Sequence, residues 1–148
     1  MASELGNKIT ITMKENTNQF IINSNNYTTF TAEAMEYLTS ELSNVDLARV
    51  FKMSNMLRTD CSVICQGNNH PHTPESLSVV LDMSSDEFYR MVSRMRSKNI
   101  LAYCVCSPSG YVQKIYMLNP YVARKRTRMN CELNMFFRDV TKDRELKD

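Results

Sequence analysis

Residues 73–119 read TPESLSVVLDMSSDEFYRMVSRMRSKNILAYCVCSPSGYVQKIYMLN, and this stretch decides the fold that the sequence predicts. A short helix is expected at its start. Thr73 is suited to accept a hydrogen bond from a free backbone N–H of the first turn, and Pro74 lacks the N–H that stays unpaired at the first helical position. The apolar side chains expected on the buried face of this helix are Leu77, Val80 and Leu81.

A second helix is expected after a turn at residues 82–84. Ser84 and Glu87 have the S-x-x-E spacing of a capping box, which satisfies free N–H groups of the first turn. Apolar residues then recur three and four positions apart, which predicts a buried stripe of Phe88, Met91, Val92 and Met95. The opposite, solvent-facing side is polar and cationic and consists of Tyr89, Arg90, Ser93, Arg94 and Ser97, with Arg96 and Lys98 beside it.

A β-hairpin is expected to close the stretch. Leu101–Cys106 and Tyr111–Leu118 are rich in β-branched and aromatic residues, and Ser-Pro-Ser-Gly lies between them. Helix, turn, helix and two-stranded hairpin is the order of a winged helix-turn-helix, in which the hairpin forms the wing. The predicted fold class is therefore α+β, a winged helix-turn-helix with an N-terminal β-hairpin and a C-terminal helix.

The preceding segment supplies two further helices in this prediction. Helical spacing indicates a short helix over residues 31–41 and a longer one from Asn44 to about Arg58. Ser43 and Asp46 have the spacing of another capping box at the start of the longer helix. Its buried stripe is expected to contain Leu47, Val50, Phe51 and Leu57.

Strands are predicted on both sides of these helices. The apolar, β-prone residues Cys61–Gln66 are expected to be the third member of the small sheet. Alternating residues at 9–13 and an apolar run at 20–22 predict an N-terminal hairpin. The Asn-rich residues 23–29 are expected to form a loop.

The C-terminal part begins with a basic run, Arg124–Arg128, which holds four cations in five residues. Residues Met129–Val140 are expected to form an amphipathic helix with an apolar face of Leu133, Phe136, Phe137 and Val140. The predicted organisation is an N-terminal extension at 1–30, the winged-helix domain at 31–120, and the basic segment with its helix and tail at 121–148.

Charge is distributed unevenly along the chain, although the net charge is only +2. Residues 1–60 carry five Lys and Arg against seven Asp and Glu, whereas residues 61–138 carry ten against five. The positive charge thus lies on the predicted helix-turn-helix and the residues after it. A polyanionic partner on one face of the molecule is the expected consequence.

Composition favours a globular protein in the cytoplasm. Hydrophobic residues make up 43% of the 148 residues, which is enough for a real core. The five cysteines are an odd number, and neither a signal peptide nor an apolar run of membrane-spanning length is evident. We therefore expect reduced thiols, a cytoplasmic location (the host cytoplasm if the protein is phage-encoded) and no membrane partner.

The second helix of the motif is expected to enter the major groove of double-stranded DNA. Arginine can fork onto guanine O6 and N7, so Arg90 and Arg94 are the expected base readers. Each of these DNA contacts has an alternative interpretation. The helix face could be an ordinary solvated surface, the wing tip a plain turn, and the basic segment a solvated run of charges. The remaining expected DNA contacts are Ser84, Ser85, Tyr89, Ser93, Arg96, Lys98, Lys114, Arg124, Lys125, Arg126 and Arg128.

Metal binding and catalysis find less support. Cys61 with Cys65, Cys104 with Cys106, and two nearby histidines suggest a zinc site, but their C-x3-C and C-x-C spacings differ from zinc-ribbon C-x2-C knuckles. The sequence has no Gly-rich phosphate loop and no H-E-x-x-H motif. We expect a protein without cofactor, metal or enzymatic activity, with a metal-dependent regulator as the minor alternative.

The stretch from about Ser43 to Asn119 resembles replication proteins of the RepL type from plasmids and phages. The resemblance is carried by VFKMSNML, by TPESLSVVLDMSSDEFYRMVSRMRSKNIL and by the closing YMLNP, and it covers roughly half of the chain. Similar helix-turn-helix patterns occur in MarR-like transcription regulators. The family implies a winged-helix fold, recognition of double-stranded DNA through residues 85–98 and a role in replication initiation. Its pattern does not include the cysteine-rich wing, the N-terminal hairpin or the helix at 129–140.

Two classes of function remain open at this stage. The first is a phage or plasmid DNA-binding protein that acts in replication initiation or transcription regulation. The second is a non-enzymatic structural or adaptor protein that uses the same fold for protein–protein assembly. In either case the helix at 129–140 or the N-terminal hairpin would be the expected contact of a homodimer.

Overall fold

The fold is a mixture of helices and short antiparallel strands, as the sequence predicts. The computed structural model describes residues 10–14, 19–23, 27–58, 61–67, 69–107, 110–125 and 137–141. Its elements, in chain order, are β1 (Thr10–Lys14), β2 (Gln19–Asn23), β3 (Thr28–Thr29), α1 (Ala32–Glu41), α2 (Asn44–Asn55), α3 (Pro74–Val80), α4 (Ser85–Ser97), β4 (Leu101–Cys106), β5 (Gln113–Leu118) and β6 (Arg124–Lys125).

The predicted helix starts are confirmed by their caps. Thr73 Oγ1 accepts a hydrogen bond from the Ser76 N–H at 3.1 Å, and Ser76 Oγ accepts one from the Thr73 N–H at 2.9 Å. This pair is a capping box built on Ser76, with Pro74 at the first helical position. Ser84 Oγ accepts from the Glu87 N–H at 3.3 Å and caps the start of α4. Each such cap stabilises a helix by about 1 kcal/mol.

The two N-terminal helices are likewise capped, by Thr31 and Ser43. Helix α2 ends at Asn55, three residues before the predicted end at Arg58. The Met56 N–H turns to the Met53 carbonyl at 3.0 Å instead of continuing the α-helical pattern. The chain then forms a bridge between Leu57 and Ile64, which takes it out of the helix.

One hydrophobic core joins α1, α2, α3, α4 and the β4–β5 hairpin. The predicted stripe of α4 is confirmed, because Phe88, Met91, Val92 and Met95 are all buried. The Phe88 ring meets the buried Tyr116 of β5 edge to face, with centroids 5.5 Å apart. Such aromatic pairs add about 0.5–1.5 kcal/mol beyond the burial of their area.

Two side chains that were expected in the core lie partly outside it. Val80 is 45% exposed because the buried face of α3 is centred on Leu77, Ser78 and Leu81, which turns Val80 towards solvent. Phe51 is 41% exposed and packs edge-on against Phe30, with centroids 5.2 Å apart.

The β4–β5 hairpin has the predicted antiparallel register, from Leu101 opposite Leu118 to Cys106 opposite Gln113. The second strand begins at Gln113, two residues later than predicted. The expected third strand is reduced to bridges, one of which pairs Val63 with Met117. Its backbone hydrogen bonds nevertheless place residues 62–64 beside β5, as the prediction requires.

The N-terminal hairpin is confirmed, since β1 and β2 pair antiparallel from Thr10 opposite Asn23 to Lys14 opposite Gln19. The prediction of a loop over residues 23–29 is wrong for its last two residues. Thr28 and Thr29 form β3, which pairs with β6 and so joins the segments before and after the helices.

The predicted helix Met129–Val140 falls mostly outside the described residues, which resume at 137. Its expected end is wrong, because residues 137–140 are not helical. Thr141 N donates to Asp139 Oδ1 at 3.0 Å, a side-chain turn that competes with helical hydrogen bonding. Phe137 and Val140 are nevertheless buried, and Asn119 Nδ2 donates to the Arg138 carbonyl at 2.9 Å.

Candidate nucleic-acid interface

The outward side of α4 is polar and solvent-exposed along its whole length. Successive residues of an α-helix are rotated by about 100°, so Arg90, Ser93 and Ser97 lie directly opposite the buried stripe. These three residues are exposed, as are Tyr89, Arg94 and Arg96. The face that the sequence predicted for DNA contact is therefore open to solvent.

Arg90 stands at the centre of this face. No hydrogen bond or ion pair joins its guanidinium to any other described residue. Its five donors are therefore available to a partner in the unbound protein.

Arg94, the second predicted base reader, is engaged with α2 instead. Its Nε and Nη2 donate to the two carboxylate oxygens of Asp46 at 3.2 and 3.1 Å. Asp46 is only 5% exposed and also accepts from Arg49 at 2.9 Å. Two of the Arg94 donors therefore hold α4 against α2, and its predicted contact with bases stays a prediction.

The pKa of Asp46 reflects this arrangement. Burial by itself raises the pKa, but hydrogen bonds from Arg94 and Arg49 and their positive charges outweigh burial, and the pKa lies below its ordinary value. Asp46 is therefore a carboxylate at neutral pH. The cluster has one negative and two positive charges, and the arginine side chains keep 47% and 19% exposure for Arg94 and Arg49.

Lys98, at the end of α4, is also held by the protein. Its Nζ donates to the Glu41 carbonyl at the end of α1. In return, the Tyr37 hydroxyl donates to the Lys98 carbonyl at 2.5 Å. These contacts fix the C-terminal end of α4 on α1, so Lys98 acts in positioning the helix.

Cations and aromatic rings alternate between α4 and the hairpin. The Arg96 guanidinium carbon lies 4.3 Å from the centroid of the Tyr103 ring, and Arg96 Nη1 donates to the Tyr103 hydroxyl at 3.2 Å. Lys114 Nζ lies 4.8 Å from the Tyr103 centroid and 5.6 Å from that of Tyr89. Each exposed cation–π contact contributes about 0.5–1 kcal/mol. The structure thus brings three predicted contact residues together: Tyr89, Arg96 and Lys114.

Sequence reasoning missed the apolar surface of the hairpin. Val105, Tyr111 and Val112 are 58%, 79% and 77% exposed. The alternation of side chains along the strand is the signal that could have predicted this surface. Val105 pairs with Lys114, and both lie on the same face of the hairpin, near its exposed end. A turn at Gly110, with φ +83°, precedes β5.

The first two residues of the basic run pack against the protein. Arg124 and Lys125 form β6, and Arg124 Nη1 donates to the Pro120 carbonyl at 3.2 Å. Lys125 is only 9% exposed, and burial lowers its pKa. Lys125 is therefore less accessible than its place in the basic run suggests, and its contact with DNA phosphate stays a prediction. The other two predicted contacts, Arg126 and Arg128, lie outside the described residues.

The thiols and imidazoles have different surroundings. Cys104 Sγ lies 3.7 Å from Cys106 Sγ, and burial together with this neighbour raises the pKa of the Cys104 thiol. His72 is buried, its Nδ1 lies 2.8 Å from Ser76 Oγ, and burial lowers its pKa. Among the described residues there is no group of three or more His, Cys, Asp or Glu suited to hold a metal ion.

Comparison with protein-family models, with curated proteins and with solved structures found no match. Within the part of the chain that the structure describes, none of the helices has the length and apolar character needed to cross a membrane.

Proposed function

We propose that this protein binds double-stranded DNA as a winged helix-turn-helix protein. In this assignment α3, the turn at 81–84 and α4 are the helix-turn-helix, and the β4–β5 hairpin is the wing. The order of elements and the pairing of Val63 beside β5 support the assignment. The turn itself is tight, since Asp82 has a φ of +53°.

The exposed face of α4 carries the proposal. A recognition helix needs donors that project from a rigid element without being consumed by the protein, and Arg90 meets this condition. Ser93 and Ser97 lie on the same face one turn apart and offer hydroxyls to phosphates or base edges. A bidentate contact of Arg90 with guanine discriminates against other bases by about 1–3 kcal/mol.

The acidic residues of α4 limit how the helix meets DNA. Asp86 and Glu87 are exposed in its first turn, where they repel phosphate. The contact we propose is therefore centred from Arg90 towards the C-terminal end of α4, and Ser84 and Ser85 contribute from the rim. Tyr89, Arg96 and Lys114 contact the backbone beside the wing, while Arg94 and Lys98 position the helix.

The process served is proposed from the resemblance to RepL-type replication proteins. A winged-helix protein of phage or plasmid origin would mark an origin for replication in the host cytoplasm, and no cofactor is required for this. Control of a promoter would use the same contacts. Selection of the preferred DNA site would distinguish a promoter from a replication origin.

Assembly with another protein is the second candidate function, and the exposed apolar residues of the hairpin favour it. Val105, Tyr111 and Val112 offer contact area without charge, which is typical of protein interfaces. An adaptor protein would form a defined complex through the hairpin and would not retain DNA.

The proposal is tested by comparing two variants that each remove one exposed cation from a helix. Arg90→Ala removes the proposed base reader, and Lys52→Ala removes an exposed lysine of α2 as the matched control. After selection of the preferred duplex from a random pool, fluorescence anisotropy measures the affinity of each protein. We expect Arg90→Ala to weaken specific binding by about 1–3 kcal/mol and Lys52→Ala to leave it nearly unchanged. Equal affinities for both variants would remove Arg90 from the interface.

A further inference from the structure

A cavity of about 400 Å³ lies where the end of α2, the segment after Ile64 and β6 meet. Its volume is within the range of about 300–1,000 Å³ that small-molecule sites occupy. None of the proposed DNA-contact residues of α4 or the wing lines it. The proposed DNA binding therefore does not explain the cavity.

Lys125 is a cationic residue of the cavity lining. The side chain is 9% exposed, and no hydrogen bond or ion pair joins its ammonium to any other described residue. Among the described residues, every side-chain nitrogen or oxygen atom that is fully sealed from solvent has a hydrogen-bond partner. The Lys125 ammonium is therefore not fully sealed, and Lys125 is among the residues that line the cavity.

The remaining lining is suited to an anion. Arg58 is a second cationic residue of the lining, and Asn55, Gln66 and Asn69 are lining residues whose side chains carry neutral amides. No described residue of the lining carries a carboxylate. An ammonium that is largely buried and has no counter-charge among the described residues is costly, and an anion in the cavity would offset that cost.

We propose that this cavity binds a small anionic ligand through a carboxylate or phosphate group. The Lys125 ammonium is its charge partner, and Arg58 with the amides of the lining orients the anion. The site does not depend on the DNA-binding function, so either proposal stands if the other fails.

Lys125→Met is the decisive variant because it keeps the aliphatic stem and removes the charge. Without an anion we expect this variant to be at least as stable as the wild type, since it removes a largely buried charge that has no partner among the described residues. Lys52→Met, on the exposed side of α2, is the matched control. Loss of binding in a variant that keeps its melting temperature cannot be ascribed to misfolding.

The probes are inorganic phosphate and citrate, compared with sodium chloride at equal ionic strength. NMR amide shifts of residues 55–58 and 65–69 follow binding in the full-length protein, and thermal melting gives an independent reading. We expect phosphate, citrate or both to shift these signals and raise the melting temperature of the wild type and Lys52→Met. Lys125→Met should bind at least about tenfold more weakly, the loss expected for one charge-assisted hydrogen bond.

The two probes separate the chemical classes. A response to phosphate alone identifies a phosphate ligand, and a response to citrate alone identifies a carboxylate ligand. Absence of any response beyond that of chloride would overturn the proposal. So would an equal response in Lys125→Met, or a clear loss of its stability without anion, which would reveal an internal counter-charge for the ammonium.

Discussion

Asp46 shows how one buried carboxylate determines what neighbouring arginines can do. It draws Arg94 of α4 and Arg49 of its own helix onto two oxygens, at distances of 2.9–3.2 Å. Arg90 lies one turn before Arg94 and has no such partner among the described residues. Two residues of the same type on one exposed helix face therefore have different surroundings, and the roles we propose for them differ: positioning for Arg94 and recognition for Arg90.

This difference predicts unequal effects of two alanine substitutions on stability. Arg94→Ala leaves the buried Asp46 with one partner fewer, and we expect the free energy of unfolding to fall by about 1–3 kcal/mol. Arg90→Ala, at an exposed position without partners, should change it by less than about 0.5 kcal/mol. Urea denaturation at neutral pH measures both. Equal losses in the two variants would contradict the positioning role of Arg94.

At the scale of elements, local patterns were good predictors and contacts between distant segments were not. The stripe of α4 and the caps at Thr73 and Ser84 follow from spacing within a few residues, and each is confirmed. The pairing of β3 with β6 joins two-residue segments about a hundred positions apart, and no local signal predicts it. The engagement of Arg94 by Asp46 was missed for the same reason, since spacing places an arginine on a face but not its partner.

The start of α3 gives a pH-dependent prediction. Burial lowers the pKa of His72, so at mildly acidic pH the unfolded chain takes up a proton that the folded protein excludes. Its contribution to stability is full above about pH 6.5 and is lost as the pH falls through the lower folded pKa. We expect His72→Gln to reduce the loss of melting temperature between pH 8 and pH 5, measured by circular dichroism.

His70→Gln is the control for this experiment, because His70 is exposed in the same loop. The dependence should persist in that variant. If His72→Gln lost as much stability as the wild type on acidification, another group would be responsible.

For the whole molecule, the sequence predicts where positive charge and exposed polar groups gather, while the structure decides which of them are available. The β4–β5 hairpin and α4 form one surface because Arg96 and Lys114 lie over Tyr103. Lys125 belongs to the basic run in the sequence but lies in the protein, beside a cavity. Burial of a residue depends on the packing of several elements, which is why the run alone was misleading.

The proposed interface makes the salt dependence of DNA binding its most direct test. Each phosphate neutralised by the protein contributes about −0.9 to the slope of log K against log salt. Titration of the full-length protein into duplex DNA at two salt concentrations should therefore show binding that weakens steeply as salt rises. Binding that is absent at low salt, or that does not respond to salt, would contradict DNA recognition and would leave the apolar hairpin as the functional surface.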